Sequence, residues 1–192
     1  HWGQFAKNRF DFMNYQAQPR ALNFIEQTKT LDVTTHANGN LPYRENMNYR
    51  IDGSIMAMNS SQWLHMLFVS VIDKKTLQPW NSQEHGNFGH DNFGKPGFVP
   101  VWNTYNFYFH MSDGSKVDSL ISFLNYVPDS NYVFMHNFRQ HNLGFWYKSA
   151  SPVGPRIKNM MASLGSDVDS ISNYPTNFPY IFFAQKGNPS SA

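Results

Sequence analysis

The sequence predicts an α+β domain with a two-layer β core, built from antiparallel and mixed sheets that carry two short amphipathic helices. Two observations lead to this prediction. Aromatic residues reach 17% beside many asparagines and serines, a mixture that favours half-exposed β surfaces over a helical bundle. In the second half of the chain, the apolar period switches from two to 3.6 and back, which indicates strands alternating with helices. Strand residues should outnumber helical ones.

Composition excludes several classes of function. The net charge of +2, with 15% charged residues, gives no electrostatic footprint for nucleic acid. No apolar stretch approaches the roughly 20 residues of a membrane span. Without cysteine, these residues form no disulfide, thiolate metal site or cysteine nucleophile. We expect residues 1–29 to be an arm and residues 30–192 to be the domain, as a module of a longer exported protein that is secreted or held at the cell surface.

The first half of the domain reads as strands joined by turns. Residues 31–35 alternate in polarity, and residues 49–51 lead into the turn dipeptide Asp52-Gly53. With a second turn dipeptide at Asn38-Gly39, two hairpins are predicted. The apolar run over residues 63–72 predicts a buried strand that closes on a polar turn.

A long loop rich in Gly, Asn and Pro is predicted over residues 79–100, because this segment has no periodic apolar set. It contains four side chains of metal-ligating type: Glu84, His85, His90 and Asp91. The His-x4-His spacing matches no closed metal site. We therefore expect no metal and no cofactor, and these four residues are the candidates if a metal does bind.

The centre of the chain predicts a strand, a helix and a strand. Residues 105–110 alternate as an aromatic strand, and residues 132–136 form another. Ser115 and Asp118 have the spacing of a capping box. Apolar residues at i, i+3, i+4 and i+7 then predict an amphipathic helix: Val117, Leu120, Ile121 and Leu124. Pro128 ends this helix, because proline lacks the backbone N–H.

Residues 139–152 are predicted to form another loop, in which Phe145, Trp146 and Tyr147 are consecutive. Successive side chains of a strand alternate between its faces, so at least one of these rings should lie near solvent. Two interpretations are open. The rings could be a stacking platform for a sugar or a partner surface, with Arg139 among its polar groups, or an aromatic lid over the sheet edge.

A second helix and a closing strand complete the domain. Pro155 is predicted at the first helical position, and Gly165 at the left-handed C-cap. Between them the apolar stripe recurs at helical spacing: Ile157, Met160, Met161 and Leu164. Residues 178–184 then predict the last strand.

Several pieces of this pattern occur in a fixed order: TTHANG, MNYRIDG, LFVSVIDKKTLQPW, SDGSKVDSLISFLNYVPDSNYVFMHNF, IKNMMASLGS and YIFFAQKG. This series resembles the interleukin-like EMT inducer domain family, also called ILEI or PANDER-like, over about residues 30–187. The chain departs from the animal members in lacking the cysteines that many of them pair, and in the long loop over residues 80–100. Similar domains are built into large exported proteins of Bacteroidetes, including cysteine peptidase-like proteins of the type IX secretion pathway, and this composition fits that setting.

The resemblance implies a binding role, because known members include cytokine-like factors and a sugar-binding stem domain of a glycosyltransferase. The sequence also contains no G-x-S-x-G, G-x-G-x-x-G, P-loop or H-E-x-x-H motif, so we expect no enzyme activity. Our leading hypothesis is a non-catalytic accessory domain that binds carbohydrate. Trp146 and Tyr147 would be the stacking rings. Arg139 and Asp113 would donate or accept hydrogen bonds from the same end of the sheet.

Two alternatives come from other classes. A structural spacer, contacting neighbouring domains of the parent protein, would carry an exposed apolar patch where a neighbour docks. A metal-dependent enzyme would use the four candidate ligands of the long loop and would retain metal on purification.

Overall fold

The structure, a computed structural model, describes residues 29–34, 48–58, 66–82, 84–85, 105–138, 141–175 and 180–192. Several sequence predictions lie outside these residues: the arm over residues 1–28, the turn at Asn38-Gly39, and the candidate side chains His90, Asp91 and Arg139. None of the helices in the described ranges is long and apolar enough to cross a membrane.

The elements follow one another in this order: β1 (Leu31–Thr34), β2 (Asn48–Ile51), β3 (Ser54–Met58), β4 (Met66–Ile72), β5 (Phe107–His110), α1 (Gly114–Tyr126), β6 (Tyr132–Phe138), α2 (Leu143–Lys148), α3 (Val153–Ser163), α4 (Val168–Asn173), β7 (Ile181–Gln185) and a 3₁₀ turn (Pro189–Ser191). The α+β class with a sheet core, predicted from the sequence, is confirmed.

The strands form two sheets with orders β1-β2-β3 and β5-β4-β6-β7. Every described pairing in them is antiparallel, so the predicted mixed sheet is wrong. The chain does cross from β5 through α1 to β6, the kind of connection that joins parallel strands. However, β4 lies between β5 and β6 and pairs with both, which removes any direct parallel contact.

The four-stranded sheet is the central layer, and each of its faces carries a different partner. One face packs against α1, α2 and α3 through the main core, to which β4 contributes Leu67, Val69 and Val71. The opposite face packs against the three-stranded sheet, where Tyr49 and Ile51 of β2 join residues of β4 and β6. Alternation of side chains along β4 explains how a strand that is buried throughout supports both layers.

Both predicted helices and two unpredicted ones pack against the core. The predicted stripe of α1 is buried as expected, and α3 buries Ile157, Met161 and the following Leu164. The helices α2 and α4 were not predicted, and α2 lies where the sequence predicts a loop. In the described ranges helical and strand residues are equally numerous, so the expected excess of strand is not found.

Local chemistry fixes two of the turns. Asp52 and Gly53, which join β2 to β3, have φ angles of 50° and 75°, as a type I′ hairpin turn requires. The predicted capping box at Ser115 is wrong, because Asp113 is the N-cap of α1 and its carboxylate accepts from the Ser115 N–H at 2.8 Å. Aspartate caps a helix as well as serine does, and here it lies directly before Gly114, where the helix begins.

Candidate functional site

The two strands that precede the predicted sugar-binding residues do end at the same end of the central sheet. Met66 of β4 pairs with His110 of β5 and with Phe138 of β6, so β5 and β6 end at the same edge of the central sheet. Asp113 follows β5, so it lies on this side of the sheet, as strand direction predicts. Asp113 is described at this edge, whereas Arg139 lies outside the described residues.

Asp113 is exposed at this edge, but one of its carboxylate oxygens serves the fold. Its Oδ1 accepts from the backbone N–H of Ser115 at 2.8 Å and from the Ser115 hydroxyl at 2.9 Å. These two hydrogen bonds hold the pKa of Asp113 below its ordinary value, so the group stays ionised well into acid. Capping of α1 thus accounts for the position of this side chain without a ligand.

Trp146 lies in the core below the end of the sheet where β5 and β6 stop, not on its surface. Its side chain is only 7% exposed, and its indole Nε1 donates to the carbonyl oxygen of Met111 at 2.7 Å. The ring contacts the first turn of α1, where a Cβ on Gly114 would lie 3.5 Å from it. Because its side chain is buried and its N–H is already bonded, Trp146 offers no free surface on which a sugar could stack.

The helix α2 explains which of the three consecutive rings reaches solvent. Residues of a helix advance by about 100° each, so Leu143, Trp146 and Tyr147 share its buried face and Phe145 points away. Phe145 is 58% exposed, whereas Tyr147 is 8% exposed and burial raises the pKa of its phenol. The prediction that one ring lies near solvent therefore holds, but that ring is neither of the two we assigned to sugar stacking.

The polar residues before α2 also serve the fold. His141 is buried, and its Nδ1 accepts from the Leu143 N–H at 3.1 Å, which places the imidazole proton on Nε2. Burial lowers the pKa of His141 to about 4, so the ring is neutral at pH 7. Asn142 has a φ of 51° and donates to the Met111 carbonyl at 3.3 Å. Neither side chain is positioned to meet a ligand.

A group of surface rings that the sequence analysis missed lies at the other end of α1. We call it the Trp80 cluster, made of Trp80, His85 and Tyr126. The Trp80 and His85 rings stack at 3.8 Å between centroids with 9° between their planes, and Tyr126 meets Trp80 edge to face at 6.0 Å. The Nδ1 of His85 lies 3.5 Å from the Tyr126 hydroxyl.

The Trp80 cluster is fixed to the fold on one side and open on the other. The backbone N–H of Trp80 donates to the Val71 carbonyl at 2.8 Å, and its ring packs against the main core. Tyr126, in the last turn of α1, remains 49% exposed. Partial burial lowers the pKa of His85, so its ring is held mainly neutral. The cluster is therefore a preformed aromatic surface, not a set of loose side chains.

Polar groups adjoin these rings. Glu84 is exposed beside His85, and its Oε1 accepts from the Asn81 Nδ2 at 3.2 Å. Glu84 and Asn81 are the chain neighbours of His85 and Trp80, and the Glu84 carboxylate has capacity to accept further hydrogen bonds. Aromatic faces with a few placed polar groups are the usual composition of a small-molecule site.

No metal centre is found within the described ranges, where no three side chains of metal-ligating type come together. Of the four candidates, Glu84 and His85 are described, and the His85 ring is stacked on Trp80. His90 and Asp91 lie outside the described residues. Comparison with models of known protein families and with curated proteins finds no match for this chain.

Proposed function

We propose that this chain is a non-catalytic accessory domain of an exported bacterial protein and binds carbohydrate through the Trp80 cluster. The observation that supports the proposal most directly is the flat, preformed stack of Trp80 on His85 with the exposed ring of Tyr126 beside it. Sugar rings present a face of C–H groups, which packs favourably on the electron-rich face of an aromatic ring. The resemblance to a family with a sugar-binding member points in the same direction.

Rigidity supports binding at this place. A site that is already ordered loses less conformational freedom when its ligand arrives, so more of the contact energy appears as affinity. Trp80 is held by its backbone bond to Val71 and by the core, and Tyr126 by its place in α1. Glu84 and Asn81 supply polar atoms that could distinguish one hydroxyl pattern from another.

The experiment is a glycan array probed with the purified chain and two matched variants. Tyr126→Ala removes the exposed ring of the Trp80 cluster. Phe145→Ala removes a ring of comparable exposure, 58% against 49% for Tyr126, on α2 near the opposite end of α1. We expect selective glycan binding that Tyr126→Ala loses and Phe145→Ala retains. Equal binding by both variants would contradict this site, and loss in Phe145→Ala alone would move it to α2.

A second candidate, an interaction domain that contacts neighbouring parts of the parent protein, is favoured by β7. This strand lies at the edge of the central sheet, and its Ile181 and Phe183 are 51% and 40% exposed. Phe183 stacks on the partly buried ring of Tyr132 in β6 at 5.5 Å, so apolar side chains of β6 and β7 adjoin here. Exposed apolar surfaces of this kind mark sites where another protein surface docks.

Hydrogen exchange separates the two candidates. Amide exchange of β7 would be compared between the isolated chain and a longer recombinant protein that includes its natural neighbours. Docking would slow exchange at Ile181 and Phe183 only in the longer protein. Equal exchange rates in the two proteins, together with glycan binding, would support the carbohydrate proposal and contradict docking at β7.

A further inference from the structure

The strand β7 has a free edge. It is the last strand of the central sheet, with β6 on one side and no described strand on the other. At one end of this pairing the Asn137 N–H donates to the Tyr180 carbonyl at 3.2 Å. At the other end the Lys186 N–H donates to the Asn131 carbonyl at 2.9 Å. Since alternate residues of an antiparallel strand turn their N–H and C=O groups to the same side, the even-numbered residues of β7 face β6, and the odd-numbered residues turn these groups away from it.

This free edge is short. On its outer side the Gln185 N–H already donates to the Ser191 hydroxyl at 2.8 Å, and the Gln185 carbonyl accepts from the Asn188 N–H at 3.0 Å. The 3₁₀ turn therefore closes this end of the edge. Among the described residues, nothing bonds the outward N–H and C=O groups of Ile181 and Phe183. These two residues are the free edge.

The same two residues carry exposed apolar side chains. Ile181 is 51% exposed and Phe183 is 40% exposed, whereas Phe182 and Ala184 point into the main core. Open backbone groups beside apolar side chains are a template for another strand, and proteins usually protect such an edge with a charge, a proline or a bulge. The strand β7 has the sequence IFFAQ and pairs with β6 without a bulge, so it has none of these protections.

The free edge is complementary to itself. When a second copy lies antiparallel with its Phe182 opposite Phe182 of the first, Ile181 of each copy faces Phe183 of the other, and their free N–H and C=O groups bond one another. The ladder ends where the free groups end, because Gln185 is already bonded and the residue it would face, Pro179, has no N–H to donate. Charge also permits this contact, since β7 carries no charged residue and the chain has a net charge of only +2.

We propose that two copies of this chain associate by antiparallel pairing of their β7 strands, so that the two central sheets become one continuous sheet. Pairing covers Ile181 and Phe183 of both copies. A stable interface buries about 800 Å² on each partner, and a ladder this short buries less, so the dimer is weak and forms at high concentration. This contact does not depend on the carbohydrate proposal, and it differs from docking of a neighbouring domain because its partner is a second copy of the same chain.

The test is sedimentation velocity of the purified chain at concentrations from about 5 μM to about 500 μM, the range in which a small interface associates. Ile181→Lys places a charge on the free edge of each copy. Phe145→Lys is the matched control, because it places the same charge at a comparably exposed position on α2. We expect the wild-type chain to shift from monomer towards dimer across this range. Ile181→Lys should weaken association by about tenfold or more, and Phe145→Lys should leave it unchanged.

A second variant tests the backbone pairing itself. Ile181→Pro removes an N–H that faces away from β6, so the bonds within the central sheet remain while bonds to the second copy are lost. It should also weaken association, and circular dichroism checks that each variant is folded. A wild-type chain that stays monomeric up to the highest concentration would overturn the proposal. A dimer that either folded variant at Ile181 leaves at wild-type strength, or that Phe145→Lys weakens equally, would overturn it as well.

Discussion

The indole nitrogen of Trp146 donates to the carbonyl oxygen of Met111 at 2.7 Å, and this bond ties α2 to the end of β5. The same carbonyl accepts from the Asn142 side chain at 3.3 Å. Two donors from the start of α2 therefore converge on one acceptor beyond β5. The contact fixes the helix layer to the end of the sheet where the sequence predicts a sugar site, and it explains why Trp146 is buried there.

Substitution of Trp146 should reveal a structural role. Trp146→Ala removes a large buried ring and should lower the free energy of unfolding by about 3–5 kcal/mol. Trp146→Phe keeps most of the ring, and Asn142 still satisfies the Met111 carbonyl, so its cost should be smaller, with about 1 kcal/mol from the lost hydrogen bond. Urea unfolding followed by fluorescence and circular dichroism measures both.

The exposed neighbour Phe145 is the control for this series. Phe145→Ala should change the free energy of unfolding by no more than about 0.5 kcal/mol, because the ring is mostly in solvent. If Trp146→Ala instead abolished glycan binding without loss of stability, Trp146 would have to be assigned to the sugar site after all.

The cap of α1 predicts a stability that depends on the charge of Asp113. Asp113→Ala removes the acceptor for the Ser115 N–H and should lower the melting temperature, whereas Asp113→Asn keeps an acceptor and should lower it less. The folded pKa of Asp113 is depressed, so its ionic contribution is present above the unfolded pKa and is lost as the pH falls through the folded value. Melting curves of both variants across acid pH check this. A constant difference between wild type and Asp113→Asn would contradict it.

Much of the fold could be predicted because the spacing of apolar residues along the chain indicates which side chains are buried. The stripe of α1 and the long buried strand β4 are apolar at the spacings that their structures require, and both were predicted. The helix α4 fully buries none of its six residues, and only Val168 and Ile171 pack partly against the core, which is too few for a stripe that predicts a helix. The helix α2 did carry a signal, with Leu143, Trp146 and Tyr147 at i, i+3 and i+4, which the run of three rings obscured.

The candidate site could not be predicted in the same way. Tyr126 is 41 residues beyond His85 along the chain, and their contact depends on how the segment after β4 folds back. The hydrogen bond from the Trp80 N–H to the Val71 carbonyl holds the segment after β4 against that strand, but no local sequence pattern predicts this bond. The sequence predicts that some aromatic rings reach the surface, but which rings do so depends on tertiary packing.

Alanine substitution of two glycines with positive φ tests how much a close contact adds to the stability cost of a strained backbone. Gly53 has a φ of 75° with no atom within 4 Å of the position that a Cβ would take, whereas Gly165 has a φ of 92° and its Cβ would lie 2.1 Å from the Pro189 carbonyl oxygen. Gly53→Ala should cost about 1–2 kcal/mol from the left-handed conformation alone. Gly165→Ala should cost about 1–3 kcal/mol more, since the 3₁₀ turn must move.

Urea unfolding of the two glycine variants measures this difference. Equal costs would mean that the turn at Pro189 yields freely and that the C-terminal residues do not hold α3 in place. Gly165 was predicted as the left-handed C-cap of the second helix, and its φ confirms that conformation.

Two buried histidines make the domain sensitive to acid. His136 is fully enclosed, with its ring stacked on Phe68 at 5.3 Å and on Phe134 at 5.1 Å, and burial lowers its pKa to about 3. Burial lowers the pKa of His141 to about 4. In the unfolded chain both rings have a pKa near about 6.5. Between these values the unfolded state binds more protons than the folded state, so stability falls as the pH falls.

The free energy of unfolding should therefore decrease below about pH 6.5, with each buried histidine adding a slope that approaches about 1.4 kcal/mol per pH unit. His136→Leu removes one of the two ionising rings, so its slope between about pH 6 and pH 4 should be smaller by about one proton, and His141 should account for much of what remains. Urea unfolding at a series of pH values gives both slopes. If His136→Leu kept the wild-type slope, His136 would have to be protonated or solvated in the folded domain, and the packing of the two sheets around it would differ from the stacked arrangement described above.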